Sequence, residues 1–344
     1  MYRLLEYILS LICCMALVSC GNDAGGEGNS VRIIFTLSMP ETTTATRASA
    51  DQDPTEDATI QECAIDQNRL HVVFYDNNGK YVGAVERLSL VKISPTVYKV
   101  VGSMSLADKH LNANNEFTGK VMVYANIAGV DEKADYTSEA ISQLSFDYPS
   151  SDAYIPMWGV KKMVNVRLEA GREVDISVIN ILRAMAKIQV YLRQDMIDKG
   201  YSLSQVSLSK YNVKGYCLPE LANYQDLDDA DNLVHDKYSH FYDSPSTGEL
   251  DMTNKAIYVP EFQNIGKGDA AACIHLELKD KDGRVDTYTL RFVDYQGGIP
   301  TANAFDLVRN HDYRYEVYRG DDGKVRVYLS VRKWWKVTHD EILM

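Results

Sequence analysis

Few residues in this sequence have types and spacings that could do covalent chemistry. The most pointed is Arg47, in "ETTTATRASADQD" (Glu41 to Asp53), the only Lys or Arg between Arg32 and Arg69. An accessible, extended segment with one basic side chain offers an arginine-specific protease one unambiguous bond, Arg47–Ala48. Six thiols and seven imidazoles complete the inventory, and no His sits at a ligand spacing from a second His or a Cys. No metal site and no cofactor are therefore expected. In His339-Asp340-Glu341, strand neighbours would face opposite ways. "DNNGKY" opens like a calcium loop, but its twelfth position is Arg87, so it reads as a hairpin turn. "DLDDADN" could hold Ca²⁺ and reads more simply as a solvated acidic loop. Arg319-Gly320-Asp321 spells an integrin-binding tripeptide where a hairpin would call for Gly and Asp anyway. Zinc-protease, P-loop, nucleophile-elbow and dinucleotide motifs are absent, and no carboxylate pair can be tied to a cleft. No enzymatic activity is expected.

The first twenty residues, "MYRLLEYILSLICCMALVSC", carry an early Arg3 and an apolar run from Ile8 to Val18. That run is too short for a stable membrane span and has the shape of an export signal. It ends in Leu17-Val18-Ser19-Cys20, which resembles the lipobox of bacterial lipoproteins; the Cys20 thiol would carry the lipid. Acyl chains buried at ~0.8 kcal/mol per methylene would then hold the precursor at a membrane. A Gly-rich tether, "GNDAGGEGNS", follows. The formal net charge is −12, with no basic stripe to neutralise phosphates, which argues against a nucleic-acid partner. Beyond the leader remain Cys63, Cys217 and Cys273; a Cys217–Cys273 disulfide and three buried thiols are both compatible with this odd number.

Apolar residues alternate at period two through most of the chain, as in half-buried antiparallel strands. "RAMAKIQVYLRQ" sets Ala184, Ala186, Ile188, Val190 and Leu192 against Lys187, Gln189 and Arg193. "KVRVYLSVRK" sets Val325, Val327, Leu329 and Val331 against Arg326, Tyr328, Ser330 and Arg332. Asn78-Gly79, Asp282-Gly283 and Asp322-Gly323 sit between strand-like runs, as tight hairpins require. Helices are expected only near Leu106–Leu111 and Ser138–Leu144, and residues 219–253 read as a long polar excursion. The fold class is all-β, with two antiparallel β-sandwiches meeting near Asn180.

Four motifs together resemble the fimbrillin superfamily, the FimA-like subunits of type V pili of Gram-negative Bacteroidetes. They are the lipobox with a downstream Arg; "IPMWG" (Ile155 to Gly159); "VINILRAMAKIQV" (Val178 to Val190) with Arg183, Ala186 and Lys187; and "LVRNHDYRYEV" followed by a terminal strand with Trp334-Trp335. The resemblance implies two transthyretin-like sandwiches in tandem and a lipoprotein precursor bound for the outer membrane. It also implies cleavage by an arginine-specific surface protease, loss of the first strand, and its replacement by a segment of another copy or a related subunit in a cell-surface fimbrium. The expected division is 1–20 leader, 21–47 tether and removable strand, 48–179 N-terminal sandwich, and 180–344 C-terminal sandwich with a donor segment.

"VRIIFTLSM" before Arg47 fits that role, with Val31, Ile33, Phe35 and Leu37 on one face and Ile34 the exception. The donor segment is less regular. In "WWKVTHDEILM", Trp335 and Val337 share one face while Ile342 and Met344 have the opposite parity, so a bulge near Asp340 is needed to align them. Two rival readings keep the fold. One is an uncleaved, lipid-anchored accessory or anchor subunit. The other is a glycan-binding adhesin using Tyr211, Tyr216, Tyr238 and Tyr242.

Overall fold

The computed structural model describes residues 30–39, 55–56, 62–105, 110–148, 154–221 and 239–333. Wherever the period-two pattern is strong, the backbone is extended. In chain order the first strands are β1 (Ser30–Ser38), β2 (Thr55–Glu56), β3 (Leu70–Tyr75), β4 (Tyr81–Ala84), β5 (Glu86–Ser94), β6 (Val97–Ser105), β7 (Glu116–Ala125), β8 (Ser145–Asp147), β9 (Met157–Arg167), β10 (Glu173–Asn180) and β11 (Leu182–Arg183). They continue as β12 (Met185–Leu192), β13 (Ser202–Ser209), β14 (Lys214–Tyr216), β15 (Glu249–Asp251), β16 (Lys255–Pro260), β17 (Cys273–Lys279), β18 (Val285–Arg291), β19 (Val293–Gln296), β20 (Ile299–Ala304), β21 (His311–Arg319) and β22 (Val325–Lys333). The expected Asx-Gly turns join β3 to β4, β17 to β18 and β21 to β22, with Gly79, Gly283 and Gly323 at φ of +81°, +84° and +76°, where glycine carries no Cβ penalty.

The strands form sandwiches. One pairs a four-stranded sheet, β10-β1-β6-β5, with a five-stranded sheet, β11-β9-β7-β3-β4. Val31, Ile33, Phe35 and Leu37 of the first share a core with Val72, Phe74, Val121 and Val123 of the second. The other pairs β2-β16-β12-β21-β22 with β15-β13-β17-β18, around Ile188, Val190, Val206, Leu208, Ile274 and Leu276. Most pairings are antiparallel, but β1–β10, β12–β21 and β2–β16 are parallel. Helix is confined to short turns: α1 (Glu139–Ser142), inside the expected Ser138–Leu144, and α2 (Gln194–Asp198), which the sequence reading does not anticipate. Of the expected Leu106–Leu111 helix, residues 106–109 lie outside the described residues, and Leu111 is not helical.

Half-buried alternation holds in interior strands such as β6 and β17 but not in the five-stranded sheets throughout. In β12 both faces are covered, and Lys187 and Gln189, expected in solvent, are 7% and 1% exposed. Lys187 meets Glu62 at 3.3 Å, and Gln189 donates to the buried Asp312, itself paired with Arg314 at 2.7 Å. In β3 and β7 the second face packs into another cluster, Val73, Tyr75, Met122 and Tyr124, with Tyr136, Ile141, Cys217 and Leu218 over it.

"IPMWG" explains itself in this setting. Trp158 is buried in that second cluster, and Gly159 lies where the chain leaves β10 for β11. A Cβ at Gly159 would stand 2.3 Å from the Asn180 carbonyl oxygen and 2.7 Å from Ile181 Cγ2. Backbone cannot yield as a flexible side chain can, so Gly159→Ala is expected to lower stability by about 1–3 kcal/mol, as overpacked core positions do. Urea denaturation beside the unaltered protein checks this.

Candidate functional site

The segment singled out by the sequence, β1, does not sit at an edge. It is an interior strand with a full ladder on each side. Toward β6 it pairs antiparallel from Ser30↔Ser105 to Ser38↔Val97 without a break. Toward β10 it runs parallel, from Arg32↔Glu173 to Ser38↔Asn180, with one register shift between Ile34 and Thr36. The shift is a bulge in β10, where Ser177 takes φ +67° and its amide is capped by Asp175 at 2.7 Å. Both ends are tied as well: Gly171 N–H donates to the Ser30 carbonyl, Ile181 N–H to the Ser38 carbonyl, and Met39 N–H to the Thr96 carbonyl.

Val31, Ile33, Phe35 and Leu37 are between 0% and 2% exposed, and Met39 joins them. Ile34, the exception to the alternation, is buried too, at 8%. At roughly 1.5–3 kcal/mol per fully buried apolar side chain, the four residues on the main face stabilise the sandwich by about 6–12 kcal/mol, an upper range because unfolded chains already shield some surface. That matches the whole stability of an ordinary domain, ~5–15 kcal/mol. Without β1 the sheet would present the bare edges of β6 and β10 on either side of an apolar trench. This combination takes up an extended peptide readily.

Downstream of the linker, the chain is pinned. Arg183, 1% exposed, donates from Nε to the Glu62 carbonyl and from Nη2 to Cys63 Sγ, each at 3.0 Å. Lys187 Nζ and the Tyr258 hydroxyl reach Glu62 Oε2 at 3.3 and 2.8 Å. From the first sandwich, as with Arg183, the Tyr98 hydroxyl donates to the Cys63 carbonyl at 2.9 Å, and Asn126 Nδ2 to the Ala64 carbonyl at 2.8 Å. Arg183 and Lys187 of "RAMAK" thus hold the segment that follows residues 40–61. Sequence reasoning placed them in a motif but not in contact with anything, because their partners lie more than a hundred residues away.

Cys20, Arg47, Ala48, Trp335, Val337, Ile342 and Met344 lie outside the described residues, as do Tyr238 and "DLDDADN". β22, expected as a resident strand, pairs along its length with β21. Tyr211 is buried edge-on against Tyr148; Tyr216 is stacked on His240 at 3.6 Å, with Tyr242 tilted against it at 4.8 Å. Burial at that stack lowers the His240 pKa. Arg319 lies over the Tyr201 ring at 5.0 Å rather than standing clear beside Asp321. Cys63, Cys217 and Cys273 form no disulfide, and burial pushes the Cys217 thiol up to about 12, leaving it inert. Among the described residues no helix is long and apolar enough to cross a membrane.

A family model described as fimbrillin-A associated anchor proteins Mfa1 and Mfa2 matches residues 65–340. Comparison with curated proteins finds no match. Among solved structures, a fimbrillin (FimA) from Porphyromonas gingivalis W83 is 15% identical, with 91% of this chain and 99% of that chain covered and a TM-score of 0.48. The fimbrial anchor protein Mfa2 from Porphyromonas gingivalis is 12% identical, with 87% and 97% covered and a TM-score of 0.30.

The buried face of β1 makes a direct prediction for the uncut chain. Phe35→Ala should cost about 3–5 kcal/mol, as large-to-small core changes do. Arg32→Ala, whose side chain is 62% exposed beside Glu173, should stay within about 0.5 kcal/mol. Chemical denaturation of both variants checks the contrast.

Proposed function

Because the chain belongs to the family of fimbrillin-A associated anchor proteins Mfa1 and Mfa2, and so has a fimbrial or adhesive role, we propose that it is a subunit of a cell-surface fimbrium that assembles by exchange of its first strand. In this reading the protein is exported as a lipoprotein held at the outer membrane through Cys20. An arginine-specific surface protease cuts Arg47–Ala48. The cut removes the lipid and β1 together, while the contacts of Arg183, Lys187 and Tyr258 with Glu62 keep the new N-terminal segment attached. The emptied trench takes up a strand from another copy or a related subunit, with Trp335, Val337, Ile342 and Met344 as the donor candidates. Each subunit then presents one acceptor and one donor, a heterologous contact that extends without closing.

The observation that carries this reading is the position of β1. It is an interior strand that contributes about as much as a domain's whole stability, yet its covalent link to the other strands of its sheet runs only through the segment containing Arg47. A second reading is favoured by the family's description, which names anchor proteins: a subunit that keeps both its lipid and β1, and so holds a fimbrium at the membrane without accepting a strand.

Intact mass and N-terminal sequencing of the protein from the surface of its own cells, beside Arg47→Ala, separate the two. A mature chain beginning at Ala48, lost in the variant together with high-mass polymers, is the expected result. A chain that still starts at lipidated Cys20 overturns strand exchange and leaves the anchor. Deletion of residues 334–344 should leave cleavage intact and abolish polymers.

A further inference from the structure

The outward face of the β15-β13-β17-β18 sheet carries a group of side chains that strand exchange does not use. Cys273 and His275 are alternate residues of β17 and so share that face. The ladder sets Ser209 of β13 opposite Cys273, and Thr289 of β18 opposite His275. Cys273 Sγ lies 3.5 Å from His275 Nε2, and Ser209 Oγ lies 3.1 Å from that sulfur and 3.3 Å from that nitrogen. The three atoms form a nearly equilateral triangle.

Those lengths have a chemical meaning. A tetrahedral ion with bonds of about 2.3 Å to sulfur and about 2.0–2.1 Å to nitrogen holds the two ligand atoms about 3.5 Å apart. The imidazole is also turned the right way. Thr289 Oγ1 lies 3.3 Å from His275 Nδ1; with the proton on Nδ1 donated to that hydroxyl, Nε2 is left with its lone pair facing Cys273. A partner of this kind behind a ligating imidazole sets the tautomer in metal sites.

A second feature points the same way. His275 also lines a cavity of about 300 Å³ with Gln205, Ser207, Glu249, Glu277 and Thr287. Its lining holds two carboxylates and no Lys or Arg, so it favours positive charge. The base nearest in register, Arg291 opposite Cys273, is exposed. Among the described residues no group of three or more His, Cys, Asp or Glu side chains could hold a metal ion, so the chain supplies only two strong ligands at this place. The site is therefore not a closed structural one.

We propose that Cys273 and His275, with Ser209 as a weak third donor, bind a thiophilic divalent cation of the zinc class. Its remaining position opens to the cavity, where water or an oxygen donor from a partner can complete the shell. On binding, a metal–sulfur bond replaces the S–H bond and the thiol proton leaves to solvent.

The test is a titration of the purified full-length protein in detergent with Co²⁺, displaced afterwards by Zn²⁺. One ion per chain, with thiolate-to-cobalt charge-transfer absorption, is expected. Cys273→Ser should abolish the absorption, His275→Gln should weaken binding at least tenfold, and Thr289→Val should weaken it by about tenfold. Cys217→Ala should leave it unchanged. In the unaltered chain, Zn²⁺ should slow alkylation of Cys273 and not that of Cys63, a readout that does not depend on any variant folding. No charge-transfer band at large excess of Co²⁺, a band that survives Cys273→Ser, or alkylation of Cys273 indifferent to Zn²⁺ would each overturn the proposal.

Discussion

An interior strand has to satisfy two ladders and one core face at once, and in this protein that demand falls on β1, the strand with the weakest covalent claim to its place. Its backbone is spoken for on both sides, by β6 and by β10, and its inward side chains are among the least exposed of the first sandwich. The second sandwich contains a strand in the corresponding situation. β12 is also interior, antiparallel to β16 on one side and parallel to β21 on the other. The difference is connectivity. β12 follows β11 after the single residue Ala184 and cannot depart, whereas β1 reaches the next residues of its own sandwich only through residues 40–61. Equivalent packing is thus backed by a one-residue connection in one half and by a connection of more than twenty residues in the other.

Around that asymmetry the remaining polar core makes sense. Arg183 of β11 and Lys187 of β12 flank the point where the chain passes from one sandwich to the other, and both bind the Glu62–Cys63 segment. A buried guanidinium is costly unless its donors are met, and here backbone carbonyl and sulfur meet them. Arg309 and Glu261 form a comparable pair at 2.6 Å, almost wholly buried, whose guanidinium also bonds the carbonyls of Tyr216 and Cys217. Arg183 and Lys187 thus fix a non-strand segment, and Arg309 ties down the end of β14 and the residue after it.

Much of the fold was legible because β-sheet chemistry is local at its simplest. The two-residue period of "VRIIFTLSM" and the positive-φ turns at Gly79, Gly283 and Gly323 need no tertiary information. What was not legible is what covers the second face of a strand. Lys187 and Gln189 read as solvent-facing and are buried, because Glu62 and Asp312 arrive from remote sequence. The short α2 was missed for a similar reason: Met196 inserts into the core from one turn of helix, too brief for any period to show. The Cys273 and His275 pairing was within reach, although the expectation that no His lies at a ligand spacing from a Cys passes over it. Alternate positions of "CIHLELKD" share a face, and only the supporting Ser209 and Thr289 required the register.

The mixed pairing around β1 also carries direction. Its trench is bounded by one antiparallel and one parallel neighbour, and these two ladders space their hydrogen bonds differently. Reversing a strand in that trench would exchange the two patterns and set its donors and acceptors against edges built for the opposite ones. The trench is therefore a vectorial slot, and whatever fills it is read N-terminus to C-terminus as well as side chain by side chain.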